Sequence, residues 1–182
     1  MTLRDYITGF SQAMILCLLG GTASAASLLV KVVDRDNLPV SDVAVFLEAT
    51  NSSSTLAPPG TTAVMDQVDT KFVPNLLLVQ SGTSVEFPNT DTVAHHVYSF
   101  SHPNQFKLPL YKGNAHAPVT FDSNGVVILG CNVHDNMLGY IVVVDTPFFA
   151  KTDEQGVARF EVSAGEVNAV TIWSPRFKER SE

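Results

Sequence analysis

Seven residues constrain this chain more than any other stretch. Cys131-Asn132-Val133-His134-Asp135-Asn136-Met137 carries a thiol, an imidazole and a thioether on one short segment. All three are borderline-to-soft donors of the kind that suits copper. The apolar run Val126-Val127-Ile128-Leu129 precedes the segment, and Tyr140-Ile141-Val142-Val143-Val144 follows it. Both runs have the composition of buried strands. The donors therefore fall on a short loop between two strands, where a rigid scaffold can present them. A fourth donor is needed, and the chain offers His95 and His96 upstream. Side chains alternate along a strand, so only one of the two can face a metal held by the loop.

The start of the chain reads as an export signal. Arg4 supplies a basic n-region, an apolar stretch covers 13–19, and Ala23-Ser24-Ala25 is a small-residue cleavage site. The apolar stretch is too short to span a bilayer stably, so no stable membrane insertion is expected after signal cleavage. A signal peptide over 1–25 implies a periplasmic protein. Cleavage after Ala25 also removes Cys17 and leaves Cys131 as the single cysteine. An exported chain with one cysteine cannot close an internal disulfide. Its thiol is at risk of oxidation unless something occupies it, and a bound metal is one such occupant. The formal charge of -7 argues against a nucleic-acid partner.

Period-2 and β-branched runs predict strands over 28–34, 43–48, 63–68, 76–80, 84–87, 95–100, 118–121, 126–129, 139–145, 157–162 and 167–173. Turn signals separate them, among them Arg35-Asp36-Asn37-Leu38-Pro39, Ser81-Gly82 and Thr152-Asp153-Glu154-Gln155-Gly156. The stretch 101–115 has prolines and no clean period, and reads as a long loop. No segment after the signal has helical spacing. Many short strands with regular turns predict an all-β sandwich protein. A polar, proline-punctuated linker over 51–60 divides the chain. The strand pairs before the linker and after 145 are each too few to stand alone. They are expected to pair with one another around an inserted middle domain. The expected layout is 26–57 and 146–182 as the two parts of one small sandwich, with 61–145 as the insert.

The donor set resembles that of the cupredoxins. The Cys-x2-His-x2-Met spacing of Cys131, His134 and Met137 is similar to the short ligand loop of amicyanins. Gly82-Thr83-Ser84-Val85-Glu86-Phe87 resembles the family's G-x-x-V-x-F lead-in, and Asn89 to His95 carries the chain to the first histidine. This resemblance implies a Greek-key cupredoxin domain with a type 1 copper site. The implied ligands are His95, Cys131, His134 and an axial Met137. His95 is implied over His96 because Val97 then aligns with the family's H-N-V pattern, although His96 stands where that pattern has asparagine. Either His96 or Asn132 is then expected to tie the two ligand-bearing loops. The outer segments, Val32 to Val45 and Thr152 to Phe160, resemble hairpins of carboxypeptidase-regulatory-like β-sandwiches. Bacterial methylamine-utilisation and plastocyanin-like proteins are similar to this composite.

The function implied is a periplasmic electron carrier that exchanges single electrons with a redox protein, such as a c-type cytochrome or a dehydrogenase. The alternative is a copper carrier or sensor with no electron-transfer role. A buried structural cysteine and a core methionine would each be the commoner reading alone. Their joint occurrence with His134 and an upstream histidine favours copper. Zinc fits less well, because its closed sites rarely use methionine. A thiol hydrolase would need a third, orienting partner that the sequence does not show, so no enzyme is expected. His102 and His116 lack metal spacing and read as surface positions, and Trp173 reads as core.

Overall fold

The computed structural model describes residues 13–16, 25–49, 57–58, 60–163 and 167–177. The linker expected over 51–60 and most of the expected signal lie outside those residues. All regular structure among the described residues is β. In chain order the strands are β1 (Ala13–Leu16), β2 (Ala25–Val32), β3 (Ala44–Ala49), β4 (Thr62–Val64), β5 (Asp66–Val68), β6 (Lys71–Val73), β7 (Leu76–Gln80) and β8 (Thr83–Glu86). There follow β9 (His95–Ser99), β10 (Phe106–Tyr111), β11 (Val119–Phe121), β12 (Gly125–Gly130), β13 (Leu138–Val144), β14 (Phe149–Lys151), β15 (Val157–Ser163) and β16 (Val167–Trp173).

Two compact units divide these strands: Thr55–Asp145 is one, and the residues flanking it on both sides make the other. In the flanking unit β2 lies between β1 and β15, and β3 lies between β14 and β16. Ala13 pairs with Val32 and Leu16 with Leu29, so part of the apolar stretch read as a signal forms an edge strand here. Val30, Val32, Val43, Val45, Leu47, Ala158 and Phe160 form this unit's core. Trp173 is buried, as its composition suggested.

Thr55–Asp145 is a sandwich of a five-stranded sheet, ordered β10-β9-β12-β13-β7, and a three-stranded sheet, β11-β8-β4. Met65, Phe72, Val79, Val85, Phe87, Val97, Phe121, Val127, Leu129, Ile141 and Val143 fill the space between them. β12 and β13 are antiparallel neighbours, and the loop joining them carries Cys131 and His134. β9 pairs with β12 through Tyr98 and Gly130, which brings the start of β9 beside that loop.

Three sequence expectations need correction. The loop expected over 101–115 contains β10, which pairs with β9 from Phe106 to Tyr111. Pro109 hid it from the period search. Because β10 is an edge strand, proline is tolerated there, and the register shifts between Leu108 and Tyr111. The single strand expected over 63–68 is two, because the fully buried Met65 marks the crossing from β4 in the three-stranded sheet to β5 in a separate hairpin with β6. β6 and β14, three residues each, are too short for any alternating pattern to show.

The turn before β15 shows how a local signal becomes structure. Val157 N and Gln155 N donate to Asp153 Oδ1 at 2.8 and 3.0 Å, and Arg159 Nη1 donates to Oδ2 at 3.0 Å. The Val157 amide, chiefly, and then the Arg159 guanidinium hold the Asp153 carboxyl below the usual carboxylate range. A lowered folded-state pKa means that this contribution is fully present above the unfolded value of about 3.9. It is lost as pH falls further, through the folded value. Asp153→Asn keeps the acceptor oxygen and removes the charge. Thermal unfolding should show it less stable than wild type at pH 7, with the difference closing as pH is lowered below about 4. A pH-independent difference would contradict this account.

Candidate metal centre

Three of the four donors singled out in the sequence converge. His95 Nδ1 lies 3.7 Å from Cys131 Sγ, His134 Nδ1 lies 3.9 Å from the same sulfur, and the two ring nitrogens are 3.1 Å apart. No other group of three or more His, Cys, Asp or Glu side chains with metal-holding geometry occurs among the described residues. His95 is fully buried and Cys131 nearly so, while His134 is half-buried. Met137 is also buried, in the same core cluster as Cys131. The donors suit a thiophilic ion. Metal–nitrogen and metal–sulfur bonds run to about 2.0 and 2.3 Å for zinc, so one ion can reach three donors at these separations.

Local sequence dictates each position. β9 alternates between buried and half-buried residues, which puts His95, Val97 and Ser99 on the inner face and His96 and Tyr98 on the other. His96 is therefore not in the cluster, and its Nδ1 is buried without a hydrogen-bond partner. Asn132 is exposed. Of the two residues expected to tie the ligand loops, His96 or Asn132, His96 makes no such tie through Nδ1.

What shapes the approach to His95 is Asn89, a buried residue whose role the sequence did not announce. Its Nδ2 donates to Val93 O at 3.0 Å and to Tyr111 O at 2.7 Å, and its Oδ1 accepts from Asp91 N at 3.1 Å. Its backbone exchanges two hydrogen bonds with Gly113. Tyr111 is buried too. Its hydroxyl donates to Phe87 O at 2.5 Å and accepts from Gln67 Nε2 at 2.6 Å, and burial pushes its pKa up to about 12.

Asp91 is the second residue that sequence reasoning missed. Its Oδ2 sits 2.9 Å from His95 Nε2, and its side chain is only 6% exposed. The Thr70 amide, and after it the His95 ring, hold its carboxyl well below the usual range. The only sequence signal was an acidic residue four positions before a ligand histidine, which is too common to single out.

Cys131–Met137 turns back on itself, with Met137 N donating to His134 O at 2.9 Å. Gly130 pairs with Leu138 and Leu129 with Gly139 at the base of the loop. Both glycines have close neighbours, but of different kinds. A Cβ on Gly139 would lie 2.7 Å from Phe72 Cβ, and one on Gly130 would lie 2.7 Å from ring atoms of Tyr98. Phe72 is fully buried and its Cβ is fixed to the backbone, whereas the half-buried Tyr98 ring can swing outward. Gly139→Ala should therefore cost about 1–3 kcal/mol, the range for overpacking a core. Gly130→Ala should cost clearly less, as denaturant unfolding of the two variants would show.

His102 and His116 lie apart from the cluster. His102 is exposed with its Nε2 3.1 Å from Gln105 Nε2, and His116 packs edge-on against Tyr111 with its Nε2 3.1 Å from Pro109 O.

No protein-family model matches the chain, and no curated protein sequence matches it. Solved structures do. A reduced amicyanin mutant aligns at 23% identity over 54% of this chain and 98% of its own, with a TM-score of 0.41. A purple cupredoxin from Nitrosopumilus maritimus aligns at 20% identity over 46% and 98%, with a TM-score of 0.39. A copper-containing nitrite reductase from Thermus scotoductus aligns at 24% identity over 53% of this chain but 25% of the reductase, with a TM-score of 0.43. Likenesses of that size add nothing to what the donor geometry says by itself. The resemblance to the cupredoxins rests on this chain's own all-β fold and its His95–Cys131–His134 cluster.

Proposed function

We propose that this chain is a type 1 copper protein that carries single electrons. The observation that carries the reading is the convergence of His95 Nδ1, His134 Nδ1 and Cys131 Sγ within 3.9 Å of one another. Two imidazoles, a thiolate and a thioether are the donor set that suits blue copper. Copper held there would pass between its two oxidation states and so take up or release one electron.

The chain's own residues set the terms. Cys131 supplies the thiolate from a buried position that excludes competing oxidants. His95 and His134 supply neutral imidazoles. Met137, buried in the same core cluster as Cys131, supplies the soft sulfur. All four are mounted on strand ends or on one tight loop, so the donors cannot rearrange far when charge changes. His134 is the most exposed of the three clustered donors and is the port for electrons in this reading. Val133, on the same loop, and Leu138, the first residue of β13, are 48% and 47% exposed and offer apolar surface beside it. Pro88 and Ala94, which also form the rim in this reading, are half-buried.

The partner in this reading is a redox protein, and the compartment is the periplasm. The signal-like start of the sequence and its single remaining cysteine support that placement. Cleavage after Ala25 would take away β1 and leave β2 paired with β15.

Adding Cu(II) to the purified chain should give an intense thiolate-to-copper absorption in the visible. Cys131→Ser should abolish it, and His95→Ala should weaken it far more than His96→Ala. A colourless complex would refute the proposal. A reversible potential with fast electron exchange is expected. Selective hand-over of Cu(I) to an acceptor protein, without such exchange, would instead favour a copper carrier or sensor.

A further inference from the structure

His95 can turn either ring nitrogen toward the side of Cys131, since a half-turn of the imidazole carries Nδ1 to the opposite side of the ring and brings Nε2 round to the first. Burial alone does not choose between them. Asp91 does. Its Oδ2 is 2.9 Å from His95 Nε2, and a carboxylate in that position accepts a proton held on Nε2. The lone pair is then left on Nδ1, the atom that faces Cys131 Sγ and His134 Nδ1.

Asp91 is itself held, once from outside the ligand loops and once by its neighbour in the chain. Thr70 N donates to the same Oδ2 at 2.7 Å, and Thr92 N donates to Oδ1 at 2.5 Å. Thr70 lies in the two-residue turn between β5 and β6, where Asp69 and Thr70 both adopt positive φ, 48° and 58°. That conformation is costly for a β-branched residue, and such strain gathers where the surroundings over-determine it. The first residue of the same hairpin makes a second grip. Asp66 Oδ1 and Oδ2 accept from Thr90 N and Thr90 Oγ1 at 3.2 and 2.8 Å. One short hairpin thus holds both residues that lead toward the first histidine.

We propose that Asp91 is a positioning residue of the metal centre. Clamped by the β5–β6 hairpin, it fixes the orientation and tautomer of His95 so that Nδ1 is the ligating atom. The proposal rests on reading His95, Cys131 and His134 as a metal site, but not on the metal being copper.

The test uses the full chain with Co(II) and Zn(II) as probes. Loss of a carboxylate partner to a ligating histidine typically weakens metal binding by about 10–100-fold. Asp91→Ala should show a loss of that size for Co(II), with a changed thiolate-to-cobalt band. Thr70→Gly keeps the amide and relieves the positive φ, so it should keep wild-type affinity; a tenfold loss there would overturn the assignment of the clamp to the Thr70 amide. Nitrogen-correlated proton NMR of the Zn(II)-loaded and metal-free wild type should place the His95 ring proton on Nε2. A proton on Nδ1, or a folded Asp91→Ala with wild-type affinity and spectrum, would overturn the proposal. If Asp91→Ala does not fold, Asp91→Leu, which has a similar shape and no acceptor, is read in its place by the same two criteria. A wild type that binds neither ion would refute the metal reading itself, while the tautomer measurement would still decide what Asp91 does.

Discussion

Everything in the Thr55–Asp145 unit depends on three polar donors sharing one small volume inside an apolar core. Two imidazole nitrogens 3.1 Å apart, beside a sulfur, cannot all present lone pairs to each other. Either a proton or a metal ion must lie between them. With the His95 proton drawn to Nε2 by Asp91, His134 Nδ1 is left as the donor to His95 Nδ1. A metal ion would take the place of that shared proton. The surrounding β-sandwich supplies rigidity, since Phe72, Leu129, Ile141 and Val97 are packed without exposed surface to yield.

The layout of that rigidity explains why the site is asymmetric. His95 belongs to a strand, and its ring is bonded to a carboxylate that is anchored in turn to another hairpin. His134 belongs to the loop and is partly exposed. One donor is thereby fixed by the scaffold and the other sits where solvent or a protein surface can reach it. The Gly130 and Gly139 pair lets the loop close tightly against Tyr98 and Phe72.

The sequence revealed the chemistry better than its support. Cys131, His134 and Met137 were legible because rare residue types at short spacing carry their own meaning. Strand alternation read correctly made His95 and His96 exclusive alternatives, and the two do point to opposite faces of β9. Asp91, Asn89 and Thr70 were not legible: the bonds from Thr70 to Asp91 and from Asn89 to Tyr111 span 21 and 22 residues of chain, and an acidic residue four positions before a histidine is too common a pattern to stand out. β10 was lost because Pro109 is a breaker signal everywhere except at a sheet edge. The split at Met65 was lost because a strand that changes sheets keeps its alternation while changing partners.

Ser81 has a consequence for the architecture. Its carbonyl accepts from Ala57 N at 2.6 Å, near where the chain enters this unit, and its amide donates to Val144 O at 2.8 Å, near where the chain leaves. Its hydroxyl also donates to Asp145 Oδ1 at 2.5 Å. The two ends are thus fastened to one residue, side by side. Chain ends held side by side in this way leave little closure entropy to be supplied by the residues that continue beyond them.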